Sequence, residues 1–548
     1  MEGMATSAGS RGFALVFALT MVSLPFAALA GAATLLLARP VSVGDVGRLF
    51  ADAGSAFARS GAVAILTALL ITLIGLACST AFASDTLRPE KAGRIRILTL
   101  VAPLALVPLF VGSGSFAFIF REVAGPVAQQ FGLGERGSSA WVAIEIAAQL
   151  IRYIPLALWL TMLTSLQTPS GIRTYARQIG VTGVEYGRIY LLSAWLPPVL
   201  IVSAFAFQDA ANDFSIAHLF LRPSVATNTE LIGHALSRSY FVDISLHSPP
   251  DAIARLIVKG SAAAIGFAGL FAIIAWLTVR WARSSPARYP RPIVQNRGMI
   301  SWGLWPTLAV LTATCVLTAA SLTILNPSSW TRLALLKPSA LIALTTAVIG
   351  WLVAAPIIFV LRDKLRNQDR SAPRAIALAG AIAIGIGFVP PLTLASAILG
   401  LAYQLNIVGN VGNTQLLLVA ELIRFTPIAF VFLAPSALSI PDGRLDYLKQ
   451  AGATVHSRLY VSYLRPYFWL HLAIILVIFN LVLNESVIAS VFQADIPNLA
   501  DFVARATTGR SADYGMVGSI ILLQATLFGA LLLIWGRSAA MAWKRNNA

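Results

Sequence analysis

Apolar positions in this chain come in long blocks, not in alternation. Gly61 to Ala83, GAVAILTALLITLIGLACSTAFA, and Met516 to Trp535, MVGSIILLQATLFGALLLIW, hold no charged residue. At about 1.5 Å rise per residue, about 20 such residues cross a hydrocarbon core of about 30 Å. Lipid offers no partner to backbone polar groups, so these blocks must be helices. The pattern predicts twelve spans, the first six near 13–37, 62–84, 97–119, 139–165, 193–220 and 257–279. Six more fall near 301–325, 338–361, 375–401, 413–436, 468–492 and 514–536. The apolar run from Phe13 to Leu37 is too long for a signal-peptide core and reads as a retained span. The expected fold class is an all-α polytopic membrane protein.

The polar residues between spans are unevenly shared. DTLRPEKAGRIR, RWARSSPARYPRPIVQNR and RDKLRNQDRSAPR are rich in Arg and Lys, whereas LAYQLNIVGNVGNT carries no charge. The excess of basic residues in cytoplasmic loops places the first three inside the cell together with both termini, in the cell (inner) membrane. This distribution also explains a net charge of +17 without nucleic acid, since the cations orient spans and form no patch. Hydrophobic residues make up 57% of the chain and charged ones 11%, against about 25% charged in soluble domains. Cys78 and Cys315 lie within apolar spans and read as small buried hydrophobes. His218, His234 and His247 lack metal-ligand spacing, so no metal site is expected.

The chain also repeats itself. A shift of 272 residues carries Leu150-Ile151-Arg152 onto Leu422-Ile423-Arg424 and Pro155 onto Pro427. Without a gap, the same shift lays TYARQIG (Thr174 to Gly180) on DYLKQAG (Asp446 to Gly452), and NDFSIAHLF (Asn212 to Phe220) on NESVIASVF (Asn484 to Phe492). Two halves follow, 1–290 and 291–548. With six spans each they run parallel, related by an axis along the membrane normal.

The recurring loop between the fourth and fifth spans, about 166–192 and 440–467, is longer than a simple connection needs. Each copy holds a helical stretch ending in glycine, Gly180 or Gly452, a residue that turns the chain out of a helix through the left-handed region. Helix, elbow and second helix make a protruding unit suited to a partner's groove. These loops resemble the EAA loop of ABC importer permeases, whose pattern is Glu-Ala-Ala, three residues, then Gly. Ala176 and Gly180 match in the first copy, with Thr174 at the Glu position; Asp446 and Gly452 match in the second, with Leu448 at an Ala position. Pro197 and Pro466 depart from the family's proline spacing. The likeness is closest to fused two-half permeases of iron(III), thiamine and related importers. It implies that Tyr175, Ala176, Arg177, Gln178 and Gly180, with Asp446, Tyr447, Lys449, Gln450 and Gly452, couple to two ATP-binding subunits. It further implies an external solute-binding protein on the outer loops. No G-x-x-x-x-G-K-[ST] stretch occurs, so ATP and Mg belong to the partner, and no cofactor or enzymatic activity is expected on this chain.

Ionisable residues inside spans are costly and point to function or pairing. Arg152 with Asp213, and Arg424 with Glu485, recur at matched positions. From the expected span ends the arginines lie about 17 to 20 Å deep and the acids about 10 Å, within reach of an extended arginine. Pairing between the fourth and fifth helices is the plain expectation, and contact with a central pathway the sharper one. The rival class is an ion-gradient-driven transporter with two parallel six-helix halves. Its best-known family carries G-x-x-x-D-R/K after the second span, and neither SDTLRPEKAGRIR nor RDKLRNQDRSAPR contains it.

Overall fold

The computed structural model describes residues 43–86, 139–166, 196–212, 249–284, 337–364 and, with a few short gaps, 387–492, plus isolated positions including several from 524 to 533. Every regular element among them is a helix. They are α1 (Val43–Thr86), α2 (Ser139–Leu166), α3 (Leu196–Asn212), α4 (Pro249–Ser284), α5 (Lys337–Lys364) and α6 (Pro391–Gln404). After them come α7 (Asn413–Leu438), α8 (Asp442–Gln450), α9 (Val455–Leu459), a π-helical turn (Tyr460–Leu464), α10 (Phe468–Leu483) and α11 (Val487–Phe492).

Among the described residues four helical segments, Gly54–Ala77, Asp251–Thr278, Lys337–Asp363 and Asn413–Leu433, are long and apolar enough to cross a membrane. A fifth arises if Val455–Leu464 and Phe468–Leu483, bent 82° at their junction, count as one span. The surface of these helices identifies their solvent. On α1, Leu66, Leu69, Leu70 and Leu73 are exposed at helical spacing, and on α4 Ile265, Ile273, Trp276 and Leu277 form a second stripe. Such apolar stripes would be an aggregation hazard in water but are the expected face toward lipid. The chain is therefore membrane-embedded. The expected spans at 13–37, 97–119 and 301–325 lie outside the described residues.

Two groups of three helices carry most of the packing. In one, α1, α2 and α3 touch each other; in the other, α5, α7 and α10 do. The first is filled by Ile71, Tyr153, Ile154, Ala157, Val202 and Ala206. The second is larger and centres on Ile358, Phe359, Phe425, Leu433, Tyr463 and Ile478. Helix α4 joins the two: it packs on α1 and, more extensively, on α6. The α4–α6 contact is close because Gly260 has no side chain. A Cβ there would lie 1.6 Å from Thr393 Oγ1 and 2.6 Å from Thr393 Cβ. Aromatic contacts continue the junction, with Phe207 edge-on to Phe388 at 5.6 Å and Phe205 stacked on Phe432 at 6.0 Å.

The helix bounds differ from the apolar runs in two instructive places. Helix α1 begins at Val43, well before the expected 62, because the helix continues through VGDVGRLFADAGSAFARS, whose charges hide it from an apolar scan. The expected span 468–492 is broken instead of continuous, with α10 ending at Leu483 and α11 starting at Val487. The break coincides with Asn484 and Glu485, whose side chains compete for local backbone groups. Asn484 Nδ2 donates to Asn480 O at 2.7 Å, and Val487 N donates to Glu485 Oε1 at 3.2 Å.

Candidate coupling surface and buried charges

The loop after α7 is a helical hairpin, built by local rules. Helix α8 ends in a Schellman motif: Gly452 N–H donates to Lys449 O at 3.1 Å and Ala453 N–H to Leu448 O at 2.9 Å. That geometry requires a left-handed residue, and Gly452 supplies φ +73°. Thr454 then caps α9, its Oγ1 accepting from Ser457 N at 3.3 Å. The chain leaves α9 through the π turn and bends at Arg465-Pro466-Tyr467, where proline cannot continue the hydrogen-bond ladder.

One side of this hairpin is tied down and the other is open. Leu445 is fully buried, Arg444 Nη2 donates to Val461 O at 2.8 Å, and Arg362 Nη2 donates to Ile440 O at 3.2 Å. Arg458 reaches Asp363, at the end of α5, with Nη2 to Oδ2 at 3.0 Å; the two side chains are 10% and 7% exposed. Beneath it Tyr463 is fully buried, stacked on Phe359 at 6.0 Å and donating from its hydroxyl to Leu433 O at 3.3 Å. The hairpin is thus bolted to α5 and α7. Tyr447, by contrast, is 71% exposed, and Lys449, Gln450 and Gly452 are exposed around it. Asp446 is half-buried. The five residues expected to couple in the second copy therefore sit on one short helix and its elbow.

In the first copy, Tyr175, Ala176, Arg177 and Gly180 lie outside the described residues, and Gln178 is an exposed helical position.

The intramembrane charges are brought together across helices. Arg424 Nη2 lies 3.2 Å from Glu485 Oε2, so α7 is linked to the α10–α11 break. Arg152 Nη1 lies 2.5 Å from Asp209 Oδ2, linking α2 to α3. The expected partner Asp213 lies outside the described residues, and Asp209 stands one turn before it. In both places the guanidinium also sits near the following ring, Tyr153 at 5.5 Å and Phe425 at 5.8 Å.

Several site residues were not singled out in the sequence. Glu145 and Gln149 are fully buried on α2, and Glu421 is 1% exposed on α7. Each helix thus buries a polar stripe: Glu145, Gln149 and Arg152 at i, i+4 and i+7 on α2, and Glu421 with Arg424 at i and i+3 on α7. The signal was available, because an acid within an apolar block is as anomalous as an arginine. Asp209, inside the expected span 193–220, carried the same signal, whereas the Arg458–Asp363 pair did not, since its meaning depends on which helices meet. Compared with known protein families, with characterised proteins and with solved structures, the chain matches none of them.

Proposed function

We propose that the chain is the fused permease of a binding-protein-dependent ABC importer, forming the solute pathway and coupling it to separate ATPase subunits. The observation that carries this reading is the hairpin after α7, anchored on one face by Arg458–Asp363 and presenting Tyr447 on the other. A unit fixed to α5 and α7 transmits a push from its exposed helix into the membrane, as a coupling element must. The 272-residue repeat fits the same reading. Shifted by that amount, α2 (139–166) falls on 411–438, where α7 occupies 413–438, and α3 (196–212) falls on 468–484, where α10 occupies 468–483. In each set the helices touch one another and a third, α1 or α5.

On this reading the hairpin faces the cytoplasm with both termini, in the inner membrane of the cell. An external binding protein delivers iron(III), thiamine or a related small solute, and two ATPases dock on the two elbows. ATP and Mg bind to those subunits. The test is reconstitution of the chain with its ATPase partners and with Gly452→Val. Valine in the left-handed region costs about 1–2 kcal/mol, too little to unfold the chain but enough to redirect α8. Expected is an inserted protein that no longer couples ATP hydrolysis to uptake. Normal coupled uptake would remove this hairpin from the mechanism, and ion-gradient-driven uptake by the chain alone would overturn the permease reading in favour of a secondary transporter.

A further inference from the structure

Glu421 lies on α7 about 12 Å along the helix from Asn413, at about 1.5 Å per residue. It is 1% exposed, and its Oε2 has no hydrogen-bond partner. Arg424, three residues on, is paired with Glu485 at 3.2 Å. Among the described residues, only Glu485 and Arg424 act electrostatically on Glu421. One guanidinium therefore faces two carboxylates. Among the described residues, the neighbouring helices add no second cation at this depth. Helix α5 carries Lys337, Arg362, Asp363 and Lys364 in its end turns, α10 carries His471 in its first turn, α6 carries Tyr403 near its end, and α11 carries no ionisable group.

A buried carboxylate whose nearest cation is already paired with another carboxylate does not stay ionised; it neutralises instead. We propose that Glu421 is an intramembrane proton site, holding a proton in this conformation so that the Glu421–Arg424–Glu485 cluster carries no net charge. The proton is exchanged with water, adding to one carboxylate oxygen and leaving from it, with no other bond changed. The other helix group shows what a neutral side chain does in the same register. Gln149, which the 272-residue shift lays on Glu421, is a carboxamide of the same shape as a protonated Glu and is fully buried.

The proposal stands whether or not the chain is a permease, and its test needs no transport assay. The full chain in lipid nanodiscs is compared with Glu421→Gln by infrared difference spectroscopy in H2O and D2O at neutral pH. Expected is a carboxylic-acid C=O band in the wild type that shifts in D2O and is lost in Glu421→Gln. Glu421→Asp keeps a carboxyl and moves the band, which decides the matter if the Gln variant fails to fold. Identical carboxylic-acid bands in wild type and Glu421→Gln, or an unmoved band in Glu421→Asp, would mean that Glu421 is ionised, with a metal or solute cation as counter-charge, and would overturn the proposal.

Discussion

The Arg458–Asp363 pair offers a quantitative test of how the hairpin is held. The two atoms are 3.0 Å apart and the side chains are only 10% and 7% exposed, so neither charge can turn to water. Arg458 Nε has no partner, which leaves Asp363 as the main compensation for the guanidinium. Removing one member of such a pair costs about 3–5 kcal/mol, because the other charge stays buried and uncompensated. Removing both in favour of apolar residues is about neutral. Asp363→Leu and Arg458→Met, each alone, should therefore shift the folding equilibrium by roughly a hundredfold or more, at about 1.4 kcal/mol per tenfold. The double variant should recover most of that. The assay is an unfolding titration in mixed detergent micelles followed by tryptophan fluorescence, with the four proteins forming a double-mutant cycle. Additive losses, or single losses below about 1 kcal/mol, the range of solvent-exposed pairs, would show that water reaches the site and that the pair is not an anchor.

Three further outcomes follow from the same geometry. Arg424→Gln should destabilise more than Glu485→Gln, by about 3 against about 1 kcal/mol in the same titration, since the first leaves the Glu485 carboxylate without its cation while the second lets Glu421 give up its proton and balance Arg424. Gly260→Ala should cost about 3 kcal/mol or more by overpacking, and Thr393→Gly, which removes the three atoms it would strike, should restore much of the loss, measured as recovery of monodisperse protein after heating. Tyr447→Ala should leave stability within about 0.5 kcal/mol, as exposed sites do, while abolishing co-purification of the proposed ATPase subunit; retained binding would show that α8 is not the contact.

How much of this was legible beforehand depended on whether the signal was local. Helices α2 and α7 were readable almost to the residue, because an apolar block in a bilayer has one solution and polar residues mark both ends. The elbow at Gly452 was readable too, since a glycine after a helical stretch has a specific conformational use. Helix α1 was read too short because its first turns are not apolar, and helical continuation there depends on what it packs against. The contact of Arg152 with Asp209 was not legible, as the rotation of α3 against α2 is set by side-chain packing that no single segment encodes, and the expected partner Asp213 lies outside the described residues. Glu421 stands three residues before Arg424 in the sequence, but its part in the charge balance depends on Glu485 reaching Arg424 from the α10–α11 break.

The contact between α4 and α6 has a consequence for how such a chain could be assembled. Ile253 and Ile257 of α4 are buried against Ala397 of α6, and Gly260 and Thr393 interlock beside them. This seam matches its two sides by shape, and its contacts all lie within α4 and α6. Two fragments made separately, one ending after Ser284 and the other beginning before Lys337, should find each other in the membrane and rebuild the α4–α6 contact. A single chain would then fix equal numbers of the two segments, leaving their mutual recognition to the glycine notch.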